Sequence, residues 1–324
     1  MNVDDLTPAD RPSFYFIGVT TGKSSIMKVF PKWAERLGLG GTPIRGIDCK
    51  HHDAPDVYRR IVAFLKSDGL SLGGLVTTHK IDLLKACEDL FDELDPYASM
   101  LGEVSSISKS DGKLIGHAKD PITSGLALEA FVPDDYFGRT GSEVCLLGAG
   151  GSSLALTMYL MQTRHEDRPA RICVTNRSTP RLEEMQRIHR EINPGIPVDY
   201  THAPTPEVND AVVSRLAPGS LVINATGLGK DAPGSPLTDA VVMPMGGMAW
   251  DFNYRGDLVF VDQAQGQQEE RCLHVEDGWV YFLHGWTRVI AEVFCIDIPT
   301  SGPEFDALSD IAASVRPGKD TKPT

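Results

Sequence analysis

A glycine-rich string between an apolar strand and a helix constrains the fold of this chain more than any other feature. The string GAGGSS follows the apolar run from Glu143 to Leu147 and precedes a helical pattern from Leu154 to Gln162. Glycines at such a turn let the backbone approach a pyrophosphate closely, and the helix N-terminus offers free N–H groups to the anion. The string alone fits an ordinary tight turn about as well, so the next strand is needed to decide between the two.

That next strand ends in side chains that favour a 2′-phosphate. The strand predicted from Arg171 to Thr175 is followed by Asn176, Arg177 and Ser178, and then by Arg181. NAD sites usually place a carboxylate here, which binds the ribose hydroxyls and repels a phosphate. No carboxylate is present, whereas two guanidinium groups can pair with the phosphate. The segment therefore predicts NADP rather than NAD, the alternative being two exposed arginines at a helix start.

A later apolar strand ends in NATG, a string of small residues that lets a nicotinamide ribose lie against the backbone. These three segments give the predicted cofactor-binding residues, which are Gly148, Ala149, Gly150, Gly151, Ser152, Asn176, Arg177, Ser178, Arg181, Asn224, Ala225, Thr226 and Gly227.

Strand and helix patterns alternate through the rest of the chain. They run from Phe14 to Asp95, with the last helix of that stretch predicted from Ile81 to Asp95, and resume from Glu143 to Phe252. Such alternation indicates an α/β fold with parallel strands and crossover helices. The 324 residues suit two domains of about 150 residues each. A long helix pattern follows from Asp277 to Phe294, and the charged end from Arg316 to Thr324 is predicted to fray.

Composition excludes several classes of partner. The 44 acidic and 31 basic side chains give a formal net charge of −13, which repels nucleic acid. No stretch reaches the roughly 18 apolar residues of a membrane span, and the polar first residues do not resemble a secretory signal. We therefore expect a cytoplasmic protein with no membrane and no nucleic-acid partner.

Cysteines and histidines give no metal or disulfide pattern. The six cysteines are scattered without paired spacing, which predicts reduced thiols in the core. His51 and His52 are adjacent, so in a strand they would point to opposite faces; a solvated loop before a helix is the preferred interpretation. No metal site is predicted.

Nine motifs in a fixed order resemble the shikimate and quinate dehydrogenase family from about Phe16 to Phe294. In the first 120 residues these are GVTTGKSSIMKVFPKWA, VTTHK, GEVSSI and HAKD. In the remainder they are GAGGSS, NRSTPR, NATGLG, DFNY and EDGWVYF, the last of which adds Gly278 to the cofactor residues. The resemblance implies an N-terminal, mostly parallel α/β substrate domain, residues 1–122 with 276–324, and a Rossmann-type doubly wound NADP domain, residues 123–275.

The family's catalytic pair is a lysine and an aspartate, and the matching positions are Lys80 and Asp120. A lysine ammonium can donate a proton to a forming alkoxide, while a nearby carboxylate orients it and binds the same hydroxyl. Without the flanking motifs, Lys80 would be interpreted as an exposed lysine at a helix start and Asp120 as a turn residue before Pro121. The resemblance implies that an NADP-dependent enzyme interconverts a ring alcohol and a ketone.

The substrate-contact positions depart from the family pattern. Ser24 and Ser25 are adjacent where the family has Ser-x-Ser-Pro, and VTTHK is one residue shorter between Thr77 and Lys80 and lacks the proline. Ser105 and Ala118 each stand where the family has asparagine. The implied substrate-binding residues are Ser24, Ser25, Thr77, Ser105, Tyr254 and His284.

These departures leave the substrate open among cyclic hydroxy acids and polyols, with shikimate and quinate first. Losing two amide groups leaves ring hydroxyls without partners, at roughly 1 to 3 kcal/mol for each unpaired buried group. Two alternatives remain: another two-domain dehydrogenase, such as the methylene-tetrahydrofolate or glutamyl-tRNA reductase types, and a non-catalytic NADP-binding regulator. The choice between monomer and homodimer also stays open.

Overall fold

The computed structural model describes residues 1–162, 166–192, 195–230 and 232–316. Within these residues the chain divides into two compact units. The first contains Met1–Lys119 and Gly285–Arg316, and the second contains Asp120–His284. The end of the chain predicted to fray lies outside the described residues from position 317 onward.

A mixed sheet forms the centre of the first unit. Its strands are β1 (Ser13–Gly18), β2 (Ile44–Asp48), β3 (Ser71–Val76), β4 (Glu93–Leu94), β5 (Ser106–Ser110) and β6 (Lys113–His117). The order across the sheet is β2-β1-β3-β5-β6-β4. Strand β1 pairs in parallel with β2 and β3, whereas β5 and β6 form an antiparallel hairpin. Its two-residue turn, Asp111 and Gly112, has φ of 52° and 76°, the positive values that tight hairpin turns require.

The helices of the N-terminal segment connect these strands. They are α1 (Ile26–Arg36), α2 (Pro55–Ser67), α3 (Lys80–Cys87) and α4 (Pro96–Leu101). Proline at the first position of α2 loses no intrahelical hydrogen bond, because that N–H has no partner within a helix. Asp95 caps α4 by accepting a hydrogen bond from the Ala98 N–H at 2.6 Å.

The second unit contains a sheet in which every strand pair is parallel. Its strands are β7 (Val144–Leu147), β8 (Ile172–Asn176), β9 (Val198–His202), β10 (Leu221–Asn224), β11 (Met248–Asp251) and β12 (His274–Glu276). Their order, β12-β11-β10-β7-β8-β9, is that of a doubly wound dinucleotide-binding sheet. Its helices are α5 (Asp120–Glu129), α6 (Tyr136–Thr140), α7 (Gly151–Leu160), α8 (Thr179–Ile192), α9 (Pro206–Val213), α10 (Val259–Gln265) and α11 (Gln268–Arg271). The predicted α/β fold class is confirmed.

Two C-terminal helices complete the described chain, α12 (Trp279–Phe294) and α13 (Pro303–Ala313). The division between the units falls inside α12, between His284 and Gly285. Beyond that point, Trp286 packs edge-on against Phe16 of β1 with ring centroids 5.0 Å apart. The C-terminal part of the chain thus contributes to the core of the first unit.

Two expectations from the sequence are wrong in part. The helix predicted from Ile81 to Asp95 ends at Cys87, because the chain then turns to pair β4 with β6. The Asp92 carboxylate contributes to this pairing by accepting from the Leu114 N–H at 2.8 Å. Cys272 and Cys295 are exposed at helix ends rather than in the core, each with a left-handed backbone, while the other four cysteines are buried.

In the described part of the chain, no helix combines the length and apolar character needed to cross a membrane. A search of the same residues for three or more histidine, cysteine or carboxylate side chains grouped for metal binding found none.

Candidate functional site

The glycine turn after β7 is held in a conformation that only glycine adopts easily. Gly148 has φ of +113°, and a Cβ at this position would lie 3.0 Å from the Ala225 carbonyl oxygen. Its N–H donates to the Thr175 carbonyl at 2.8 Å, and its carbonyl accepts from the Ser153 hydroxyl at 2.6 Å. The turn is therefore tied to β8 on one side and lies against the loop after β10 on the other.

Open space adjoins the N-terminus of α7. Gly150 caps the helix with extended backbone, and a Cβ there would have no neighbouring heavy atom within 4 Å. Gly151 and Ser152 follow in the first turn, whose N–H groups have no partner within the helix. Together with the N-terminal end of the helix dipole, this space can accept a pyrophosphate.

Polar and basic residues follow β8 beside this turn. Asn176 accepts from the Ala149 N–H at 3.3 Å and donates to the Ser178 carbonyl at 3.0 Å, so its side chain braces the loop. Arg177 and Arg181 are exposed, and neither forms an ion pair with a carboxylate among the described residues. Their guanidinium groups remain available to an external anion.

The loop after β10 is held by buried amide side chains. The Asn224 carbonyl oxygen accepts from the Thr226 N–H at 3.0 Å and from the Thr226 hydroxyl at 2.6 Å. Asn253 donates to the Thr226 carbonyl at 3.0 Å. Gly278 lies so close to this region that a Cβ would stand 2.1 Å from the Phe252 carbonyl oxygen.

This loop has two supporting residues that the sequence analysis assigned no role. Asp251 and Asn253 are both buried beneath the loop. Their only signal in the sequence is their place in the motif DFNY, of which only Tyr254 is assigned a role, in substrate binding. A carboxylate at the end of an apolar strand, followed by an asparagine, could have identified them.

In the first unit, Lys80 begins α3 and is half-buried. Its backbone N–H donates to the Thr77 carbonyl at 3.1 Å, and its carbonyl accepts from the Val104 N–H at 3.2 Å. The preceding His79 is buried, and its Nδ1 lies 3.1 Å from the Tyr58 hydroxyl. The same hydroxyl accepts from the Asp53 N–H at 3.1 Å. Burial, with help from His51, lowers the pKa of His79 and so favours its neutral ring.

Ser105 joins the segment of Lys80 to the segment that leads to Asp120. Its buried hydroxyl accepts from the Lys119 N–H at 2.8 Å and donates to the His117 carbonyl at 3.4 Å. Val104, which precedes Ser105, is the residue bonded to the Lys80 carbonyl. One dipeptide therefore contacts both segments, and Asp120, the half-buried first residue of α5, follows Lys119 directly.

Lys119 belongs to a cluster of charged side chains in the first unit. Its ammonium group lies 2.6 Å from a Glu292 carboxylate oxygen, and the other oxygen of Glu292 lies 3.4 Å from His117 Nε2. On its opposite side, His117 Nδ1 lies 3.6 Å from Asp95. This cluster has no signal in the sequence, because Glu292 is 173 positions from Lys119 and no motif links the two.

The remaining predicted substrate residues are spread over both units. Ser24 and Ser25 lie half-buried at the start of α1, and Thr77 donates to the Ile17 carbonyl at 3.2 Å. In the second unit, the Tyr254 ring packs against Phe282 with centroids 4.7 Å apart. His284 is buried within α12.

His51 and His52 are exposed in a turn before α2, as the loop interpretation expected. His52 Nδ1 lies 2.8 Å from the Asp82 carboxylate, which accounts for its orientation without a metal ion.

Comparison with known proteins identifies relatives of this chain. No family model matches it. The chain is 32% identical over 130 residues to a shikimate dehydrogenase (NADP(+)) of Bacillus cereus strain AH187, a match that covers 40% of this chain and 43% of that protein. The matched segment thus spans less than half the length of that curated relative.

Two solved structures share the fold over nearly the whole chain. Quinate dehydrogenase from Corynebacterium glutamicum in complex with NAD has a TM-score of 0.72 at 18% identity, covering 94% of this chain and 100% of that one. Shikimate 5-dehydrogenase from Thermus thermophilus in complex with NADP(H) and shikimate has a TM-score of 0.67 at 20% identity, with 94% and 99% covered. These two matches confirm the fold, and the sequence match to the Bacillus cereus protein agrees with the resemblance seen in the motifs.

Proposed function

We propose that this chain, a divergent relative of the shikimate and quinate dehydrogenases, is an NADP-dependent oxidoreductase that interconverts a ring secondary alcohol and a ketone. The observation that supports this most directly is the glycine turn at the carboxyl ends of β7 and β10. The order of an all-parallel sheet reverses between these strands, and ligands of such sheets bind at this point. The first unit would be the substrate domain and the second the NADP domain.

The residues around this turn fit NADP. The open space at Gly150 and the first turn of α7 would bind the pyrophosphate, and the loop from Asn224 to Gly227 would contact the nicotinamide ribose. Arg177 and Arg181 would hold the 2′-phosphate, because no carboxylate ends β8 and both side chains are exposed. When bound, the nicotinamide accepts or supplies the hydride.

Lys80 and Asp120 would handle the proton. In alcohol oxidation, the hydroxyl proton passes to the uncharged amine of Lys80 as the C–H bond breaks. In ketone reduction, the Lys80 ammonium donates that proton to the developing alkoxide. Asp120 would orient the lysine and bind the same hydroxyl. The dipeptide Val104–Ser105 supports this assignment because it holds the carbonyl of Lys80 and the N–H of Lys119, the residue before Asp120.

The substrate we propose is a cyclic hydroxy acid or polyol, with shikimate and quinate as the first candidates. Ser24, Ser25, Thr77, Tyr254 and His284 would contribute to its binding. The Ser105 hydroxyl already donates to one backbone group and accepts from another. The other position where the family has asparagine is occupied by the apolar Ala118. Recognition of ring hydroxyls therefore depends on fewer amide groups than in the family pattern.

A substrate panel tests the proposal. The absorbance of reduced nicotinamide would be followed with shikimate, quinate and related ring acids and polyols, each with NADP and with NAD. We expect turnover with at least one ring alcohol and a higher kcat/KM with NADP. Tight NADP binding by calorimetry without turnover on any member would instead indicate the regulatory NADP-binding protein. Failure to bind either dinucleotide would refute the proposal.

A further inference from the structure

A buried carboxyl group lies beneath the loop that we assign to the nicotinamide ribose. Asp251 ends β11 and has no exposed surface. One of its oxygens accepts from the Asn253 N–H at 2.8 Å, and the other accepts from the Asn224 amide nitrogen at 3.1 Å. Both oxygens thus act as acceptors, a pattern that only the ionised carboxylate satisfies fully.

Two acceptors set the orientation of the Asn224 amide. Its nitrogen donates to Asp251 at 3.1 Å and to the Leu228 carbonyl at 3.3 Å, and its carbonyl oxygen therefore faces the N–H and hydroxyl of Thr226. A reversed amide would place its own N–H groups against the Thr226 N–H, where no acceptor would remain. The Asp251 carboxylate is thus one of the two acceptors that keep the oxygen of Asn224 directed to the loop.

The loop in turn forms one side of the glycine turn. The Ala225 N–H donates to the Leu147 carbonyl at 3.0 Å, and the Ala225 carbonyl is the atom nearest to the position of a Cβ on Gly148. Asn253 holds the loop from below through the Thr226 and Leu228 carbonyls. A change at Asp251 would reach the dinucleotide site through two amide side chains.

We propose that the carboxylate of Asp251 is a positioning residue for the dinucleotide: it orients Asn224 and Asn253, and thereby holds the Ala225–Leu228 loop in the binding conformation. This inference rests on the proposed function, since the ligand it concerns is the nicotinamide dinucleotide. The carboxyl group touches neither the cofactor nor the substrate in this role.

The groups around Asp251 predict a dependence on pH. Burial raises the pKa of Asp251 to about 7, the hydrogen bonds from Asn253 and Asn224 oppose that rise, and the charge of Asp277 adds to it. As pH falls through 7, one oxygen gains a proton, and the hydroxyl that forms is a much weaker acceptor for the Asn224 amide. The ionised fraction of a group with a pKa of about 7 falls from about nine-tenths at pH 8 to about one-tenth at pH 6, so binding that requires the ionised form would weaken by up to about tenfold.

Calorimetry with NAD between pH 8 and pH 6 tests the linkage. NAD is the better probe because the 2′-phosphate of NADP itself takes up a proton near pH 6. We expect NAD affinity to fall about tenfold in the wild type, and to be weak and insensitive to pH in Asp251→Asn, whose amide cannot accept at both ends. Asp199→Asn, which removes an exposed carboxylate from the same unit, should follow the wild type. A pH dependence retained in Asp251→Asn would overturn the proposal.

Amide hydrogen exchange of Thr226 and Leu228 in the free protein separates this proposal from the function on which it rests. After correction for intrinsic exchange rates, their protection should decrease from pH 8 to pH 6 and be lost in Asp251→Asn. The urea midpoint of that variant should not fall at pH 8, because a buried charge has been removed. If Asp251→Asn does not fold, the change in protection of Thr226 and Leu228 between pH 8 and pH 6 in the wild type tests the proposal by itself. Protection of Thr226 and Leu228 that does not change with pH would refute the role of Asp251. If protection falls with pH as expected but NAD does not bind, only the proposed function is refuted.

Discussion

The two sheets present their candidate site residues by different means. In the second unit the site is made of backbone: a glycine turn with positive φ, the free N–H groups of α7, and the loop after β10. In the first unit it is made of side chains at the ends of β3, β5 and β6, and several of these already bond to the protein. Backbone sites require glycines at fixed spacing, so a sequence reveals them. Side-chain sites depend on neighbours that are distant in sequence.

The contrast is clearest between Gly148 and Ser105. The conformation of Gly148 follows from the residue type, because few other residues tolerate φ of +113°. The hydroxyl of Ser105 could bind a substrate or the protein, and the structure shows it bonded to His117 and Lys119. Substitutions in the first unit should therefore change mainly kcat, and those in the second unit should change mainly dinucleotide affinity. The largest effect is expected at the proposed proton donor.

Lys80→Ala should lower kcat by about 10² to 10⁴, the usual range for a lost general acid or base, and leave NADP affinity nearly unchanged. Lys85→Ala is the matched control, because Lys85 is an exposed lysine on the same helix. Asp120→Asn should cause a similar loss, and the double variant should lose little more than either single variant, since in the proposed mechanism the two residues act as one unit. Near-normal turnover of Lys80→Ala would assign the proton transfer to another group, with His79 the next to test.

Gly148→Val should reduce NADP affinity by roughly 30-fold or more and destabilise the second unit by about 2 kcal/mol. A β-branched residue is strained at positive φ, and its Cβ would meet a backbone carbonyl that cannot rotate away. Gly150→Ala should differ, because φ there is −87° and the space is open. That variant should keep its urea midpoint yet bind NADP more weakly, since the methyl group would enter the proposed phosphate space. Wild-type affinity in Gly150→Ala would place the pyrophosphate elsewhere.

The sequence predicts the features built from backbone better than those built from side chains. The strand, glycine turn and helix from Val144 to Leu160 were expected from residue type and spacing, because local chemistry determines them. The pair of Lys119 and Glu292 could not be expected, because it depends on which strands and helices become neighbours. The motif DFNY marks Asp251 and Asn253, but their hydrogen bonds to Asn224 and Thr226 depend on the same neighbours. The helix from Ile81 was predicted too long for a similar reason: pairing of β4 with β6 outweighs the local helical pattern.

Arg177→Ala should weaken NADP binding about tenfold and leave NAD binding within about twofold, because only NADP carries the 2′-phosphate. Arg187→Ala on α8 is a suitable control, since its guanidinium group is already paired with Glu184 and Glu191. Calorimetry of both dinucleotides on both variants measures the selectivity. An equal loss for NAD and NADP in Arg177→Ala would show that the arginine supports the fold or the pyrophosphate rather than the 2′-phosphate.

The smallest effect is expected at Ser105, because its hydroxyl already bonds to the protein. Ser105→Ala removes the acceptor for the half-buried Lys119 N–H, which should lower the free energy of unfolding by about 1 to 2 kcal/mol. If the hydroxyl serves only the protein, KM should stay constant while kcat falls modestly, because the chain before Asp120 becomes less well fixed. Ser108→Ala is a control of similar burial three positions later in β5, whose hydroxyl contacts the His117 ring rather than a backbone group. A rise in KM for a ring hydroxy acid, with unfolding and kcat unchanged, would show that Ser105 binds substrate directly and that its backbone bonds are exchanged during binding.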